Sequence, residues 1–176
     1  MDTVGSREAL ASFLATQDAP TLARVLLELA KDFAPVSERL ERLRLRDDPA
    51  ELCARFKWQL QRWESNDRFV GYGDAATFGR ELDTWVAQVE REVLPRFPGE
   101  AMALFVAFLE MDRLVFERVD DDGGYVGGAF KLACRIWVKA AVGAGLNASE
   151  IASRALAISA EDNYGARSDL SAAVAR

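Results

Sequence analysis

Apolar side chains recur at intervals of three and four residues along almost the whole chain, and no stretch alternates apolar with polar residues between hairpin turns. That spacing matches the 3.6-residue turn of an α-helix and gathers the apolar residues on one face, whereas a half-buried strand needs a period of two. The pattern predicts an all-α fold of about eight or nine helices. Leu10, Phe13 and Leu14 mark a first helix near residues 6 to 16. Asp18 and Pro20 open a second, which aligns Leu22, Val25, Leu26, Leu29 and Phe33. A mostly solvent-facing helix follows Pro35, with Val36, Leu40 and Leu43 in a narrow stripe amid charge.

Asp48, Pro49 and Glu51 reproduce the logic of a capping box and start a helix to about Glu64, with Leu52, Cys53, Phe56, Leu60 and Trp63 expected inward. SNDRFVGYGD reads as a loop whose Asp74 caps the next helix, and Phe78, Leu82, Trp85, Val89 and Val93 carry that helix to Pro95. Residues 99 to 119 are apolar almost all round in their first half, as a central helix must be. Phe130, Cys134, Trp137, Val138 and Ala141 mark another helix, which Gly143 or Gly145 ends. Asn147 and Glu150 form a second capping-box start, for a helix bearing Ile151, Leu156 and Ile158 and stopping around Asn163 to Gly165. A short last helix follows from Ser168.

The chain's 176 residues suit a single domain, with two helix-loop-helix units at about 48 to 97 and 99 to 146. An internal echo joins them: RFVGYGDAATFGRELDTWV and GGYVGGAFKLACRIWV both run from an aromatic residue and Val-Gly into a helix bearing Phe and Trp. Such self-similarity points to a helical-repeat-like packing, an α-solenoid or irregular bundle, in which each unit buries its face on the next.

Composition narrows the chemistry. The longest apolar run, Ala101 to Leu109, is about half of what a bilayer-spanning helix needs, and the amino end carries no secretory pattern, so a cytoplasmic protein is expected. Twenty-two basic against 28 acidic residues give a charge of −6, which opposes attraction to phosphate backbones and anionic lipid. With no histidine at all, Ser-His-Asp, Cys-His and histidine-containing zinc sites are excluded. Cys53 and Cys134 fall in helical apolar patterns and read as buried free thiols.

Chemistry then concentrates in two loops. ERVDDDGGYVGGAF sets Asp120, Asp121 and Asp122 before two glycines, but an EF-hand starting at Asp120 puts Gly124 at position 5 and Lys131 at position 12, so the calcium pattern fails. Gly71, Gly73 and Ala76 match G-x-G-x-x-A, yet follow a helix and loop rather than the buried strand that a dinucleotide site requires. The sharper candidate is a convergence of Arg68, Tyr72 and Asp74 with Glu117, Arg118 and Asp120 to Asp122, either gripping a partner's charged group or locking the two loops together. The internal lock is the preferred reading of the two. Trp58 lies off its helix's stripe and is a candidate surface contact; Arg39, Arg42, Arg44 and Arg46 are interleaved with acids as an ordinary salt-bridged face.

RFVGYGDA, VFERVDDDGGYVG and AEDNYGAR together give the chain its resemblance to a bacterial family of unknown function, over about residues 20 to 170, whose helical module also occurs beside SWIM-type zinc fingers. The element matched most fully is ERVDD-x-x-G, here Glu117, Arg118, Val119, Asp120, Asp121 and Gly124, with Asn163, Tyr164 and Gly165 as a second marker. The resemblance implies an all-helical, repeat-like fold and no catalytic residues. Two distant cysteines without histidine cannot build the zinc finger itself. The expectation is a non-enzymatic scaffold that binds another protein, with no cofactor, no metal site and no membrane partner. A small-ligand or divalent-cation domain using Asp120 to Asp122, possessing Arg68 or Arg118 as anion clamp, is the alternative, and a nucleic-acid module the third.

Overall fold

The computed structural model describes residues 3–174, whose regular elements are all helices: α1 (Thr3–Ala15), α2 (Ala19–Asp32), α3 (Ala34–Arg44), α4 (Pro49–Glu64), α5 (Tyr72–Glu92), α6 (Pro98–Glu110), α7 (Asp112–Phe116), α8 (Tyr125–Gly143), α9 (Ala148–Ser159) and α10 (Asp169–Val174). Capping chemistry sets several starts. The Asp18 carboxylate accepts the Thr21 amide at 2.8 Å, and Asp48 that of Glu51 at 3.1 Å, each beside a first-turn proline. A complete capping box at Asn147 and Glu150, with bonds of 3.0 and 2.8 Å, opens α9. Each satisfies amides that a helix start otherwise leaves without partners.

Three expectations are corrected. Asp74 does not cap α5: Gly71 holds that position, and Asp74 sits in the first turn, where its charge still complements the helix dipole. The helix expected over 99 to 119 breaks at Met111, whose amide turns back to the Phe108 carbonyl at 3.2 Å; Asp112 starts α7 with its side chain bonded to the Arg113 amide at 2.6 Å. Finally, α9 stops at Ser159 rather than near Gly165, because Asp162 collects the amides of Tyr164, Ala166 and Arg167 at 3.0–3.2 Å and folds DNYG into a tight turn.

The described residues group into two compact units that divide between Leu45 and Arg46. In the first, α2 packs on α3, yet neither helix buries a single residue. Val25, Leu26, Leu27, Leu29 and Phe33 all stand exposed, as do Leu10, Phe13 and Leu14 of α1. The periodicity here is sound and its apolar face is uncovered.

The second unit carries the core and both helix-loop-helix pairs. α4 packs on α6 and α5 on α8, so the pair α4–α5 stacks on the pair α6–α8, and α8 in turn packs on α9 and α10. Gly79 of α5 meets Tyr125 at the start of α8, and Glu90 further along α5 meets Lys139 further along α8 at 2.9 Å, so the two helices run parallel. The helical part of the echo falls on these two helices, whereas its Val-Gly pairs do not correspond, Val70 and Gly71 preceding α5 and Val126 and Gly127 lying inside α8. Leu82, Trp85 and Val89 of α5 are buried, and so are Cys134, Trp137 and Ala141, each 52 positions on by the numbering of α8. Gly79 is required at the crossing: a Cβ there would lie 2.9 Å from the Tyr125 backbone, which cannot yield as a side-chain tip can.

Trp85 is the hub. Its ring stacks on Phe108 at 5.2 Å, takes Phe56 and Phe105 edge-on, and donates its indole N–H to the Phe56 carbonyl at 3.3 Å, so α4, α5 and α6 meet on one side chain. Trp63, expected in the core, is only half-buried; it sits edge-on to Phe78 at 6.1 Å and walls a cleft.

Candidate functional site

The turn after α4, the turn after α7 and the turn after α9 lie along one edge of the second unit. The first two are joined by a one-residue parallel bridge: the Val70 amide donates to the Arg118 carbonyl at 2.8 Å, and the Asp120 amide to the Val70 carbonyl at 3.0 Å. Val119, between those two partners, is buried. Arg118 strengthens the junction with its side chain. Its guanidinium donates to the carbonyls of Glu64 at 3.1 Å and Asn66 at 2.6 Å and pairs with Asp67 at 3.4 Å. A cation at the carbonyl end of α4 meets both the unpaired acceptors and the negative end of the helix dipole.

Asp121 is spent inside its own loop. One carboxylate oxygen accepts the Val126 amide and the other the Gly127 amide, both at 2.9 Å, so it supplies the acceptor that Gly124 cannot give to the first turn of α8. Gly124 has φ +67°, a left-handed conformation that costs a side-chain-bearing residue about 1–2 kcal/mol. The glycines and aspartates of this stretch thus have a local structural reason.

Of the eight residues singled out, the structure brings Arg118 onto the first loop but forms no ion pair between Arg68 or Arg118 and Asp120 to Asp122. Arg68 approaches Asp74 only at 3.9 Å with both side chains largely in solvent, an arrangement worth about 0–1 kcal/mol. Glu117 pairs with Arg113 at 2.9 Å along its own helix turn. Asp122 is exposed, Asp120 is half-buried, and Tyr72 points out. The junction between the loops is made by backbone and Arg118 rather than by the expected exchange of arginines and aspartates. Among the described residues no group of three or more His, Cys, Asp or Glu side chains is placed to hold a metal ion.

Two features escaped sequence reasoning. The third turn is anchored by Arg167, 4 % exposed, whose guanidinium makes paired bonds of 2.8 and 2.7 Å to Asp112, itself 1 % exposed, and a further bond of 2.8 Å to the Ile158 carbonyl. Tyr164 from this turn stacks on Phe116 of α7 at 5.5 Å. The other is a cleft of about 180 Å³ beside the first loop, walled by Trp63, Phe78 and Val115 and bordered by Arg62, Arg68 and Arg118. Arg62 lies over the ring of exposed Trp58 at 4.8 Å, which accounts for that tryptophan's place off the core stripe.

Exposed aromatics mark the same edge: Phe69 is 62 %, Tyr72 60 %, Tyr125 47 % and Tyr164 46 % accessible. The thiols stand apart from it. Burial pushes Cys53 up to about 11 and Cys134 up to about 12, so both remain protonated and unreactive near neutrality. No helix among the described residues is long and apolar enough to cross a membrane.

No curated protein and no solved structure matches the chain. A family model does, over residues 7–176, nearly the whole of it. With its helix pairs stacked in parallel and its Gly-Asp turns joined along one edge, the chain belongs to DUF6880, a family of unknown function.

Proposed function

We propose that this protein is a non-enzymatic helical scaffold that docks a partner protein on the edge formed by its three turns. The observation that carries the proposal is the set of accessible aromatics, Phe69, Tyr72, Tyr125 and Tyr164, held on or directly after turns that are themselves fixed by hydrogen bonds. Large, rigid aromatic side chains beside arginine are what dominates binding at protein interfaces, and fixing them beforehand removes the ordering cost of association.

Support also comes from what the candidate ligands are already doing. Both oxygens of Asp121 accept backbone amides, which weighs against the divalent-cation alternative, and the raised thiol values weigh against cysteine nucleophilic chemistry. The arginines of α3 and Arg46 just beyond it sit among acids, Arg44 with Glu41 at 3.1 Å and Arg46 with Asp47 at 3.4 Å, which weighs against the nucleic-acid reading. Cytoplasmic residence and a bacterial source, with kinship to helical modules beside zinc fingers, complete the proposal.

The test is affinity capture from the source organism's lysate with the native chain and with Phe69→Ser/Tyr72→Ser. Both side chains are largely in solvent, so thermal stability should be unchanged while capture of a specific partner falls at least about tenfold, the loss of two interface anchors. Recovery of the same partners by both proteins, or of none by the native chain, would refute the docking edge.

A further inference from the structure

We infer that the cleft beside the first loop receives an acidic peptide segment of the partner, with a carboxylate side chain among the arginines and an apolar neighbour against the aromatic wall. The inference rests on the docking reading and adds to it the chemistry of what is docked. Three guanidiniums, Arg62, Arg68 and Arg118, line the cleft against one carboxylate, Glu81, in a chain whose overall charge is −6. Asp67 and Asp74 pair with Arg118 and Arg68, so among the described residues Arg62 is the member of the three with no carboxylate within ion-pair distance.

The three arginines differ in how committed they are. Arg118 is held by two carbonyls and by Asp67, so it is a fixed positive wall. Arg68 is tied only to Asp74 at 3.9 Å in solvent, a contact that an incoming carboxylate replaces at little cost. Among the described residues the Arg62 guanidinium has no hydrogen bond and no ion pair; it rests on the Trp58 face with its planar fork available. A guanidinium preplaced by stacking loses less freedom when it binds a carboxylate through two N–H groups.

The aromatic wall adds a second requirement. Trp63 and Phe78 meet edge to face at 6.1 Å beside Val115, so the cleft offers an apolar wall next to its polar and charged groups. A volume of about 180 Å³ accommodates one or two side chains, not a folded domain. A peptide that alternates carboxylates with an aliphatic or aromatic residue satisfies both parts. A single nucleic-acid strand, whose bases also stack on aromatic rings, is the rival occupant, and the oligonucleotide arm of the test distinguishes it.

The probe is a fluorescein-labelled peptide, Glu-Glu-Phe-Glu-Glu, followed by anisotropy at low salt against its glutamine counterpart, Gln-Gln-Phe-Gln-Gln, and against a single-stranded oligonucleotide of like charge. The acidic peptide should bind the native chain, bind at least about tenfold more weakly to Arg62→Gln/Arg68→Gln, and weaken as salt is raised. Neither replaced side chain is buried, so the double variant should melt with the native protein. No binding by the acidic peptide, equal binding of the glutamine peptide, unchanged affinity in the double variant, or equal displacement by the oligonucleotide would each overturn the inference. Failure here with partner capture still lost in Phe69→Ser/Tyr72→Ser would remove the acidic cleft alone and leave the docking edge standing.

Discussion

Replacing Arg167 with alanine is expected to destabilise the protein by about 3–5 kcal/mol, since it removes one member of a buried, doubly bonded pair and leaves Asp112 charged in the interior. Typical domains are stable by about 5–15 kcal/mol, so the loss is a large share of the total. The cost lies less in the missing attraction than in the stranded carboxylate, which has no water to turn to at 1 % exposure. Urea unfolding measures it. Adding Asp112→Ala to Arg167→Ala should recover part of the loss, because the double variant has no stranded charge; strictly additive losses would contradict the account. The pair lies just after the break between α6 and α7, where Asp112 faces inward to meet Arg167.

Trp85→Ala should cost about 3–5 kcal/mol as well, by a different route. The ring is shared by Phe56, Phe105 and Phe108, and its removal leaves a cavity where three helices converge. Its indole N–H bond to Phe56 is lost at the same time, leaving a buried carbonyl without that donor. Trp58 supplies the contrast. At 55 % exposure, stacked only under Arg62, its replacement by alanine should change stability by no more than about 0.5 kcal/mol. Chemical denaturation of the two variants side by side checks the pair of values, and a Trp85→Ala loss below that of Trp58→Ala would contradict the assignment of the hub.

These contrasts show what was legible in the chain and what was not. Three-and-four spacing and caps are local, and they delivered the all-helical architecture, the starts at Asp18, Asp48 and Asn147, and the inward faces of α5 and α8. Periodicity names a face but not what covers it. The stripe of α2 is as regular as that of α5, yet it stands in solvent while the other is buried. Trp63 sits on its helix's stripe and still ends half-buried, since it meets Phe78 edge-on and faces the open cleft.

The site was legible only in outline. Glycine and aspartate marked the turns, and the turns do meet, but the meeting is a backbone bridge at Val70 and Asp120 that no side-chain pattern encodes. Arg118 reaches the first loop, with carbonyls rather than the carboxylates of Asp120 to Asp122 as its main partners. Asp112 carried a signal that went unread. It continues the spacing of Phe105 and Phe108 toward Val115, so a charge stood on a core stripe and required a buried counter-ion. Arg167, in the AEDNYGAR segment, is that partner.

Amide hydrogen exchange, resolved residue by residue under native conditions, tests most directly whether the Gly-Asp turns are fixed connectors that present a surface. The amides of Val70, Asp120, Val126 and Gly127 each have a protein acceptor at 2.8–3.0 Å and should exchange far more slowly than those of an unstructured peptide. Exchange of all four at the rate of an unstructured peptide would contradict the account, since the turns would then be loose loops with nothing preplaced for a partner to recognise.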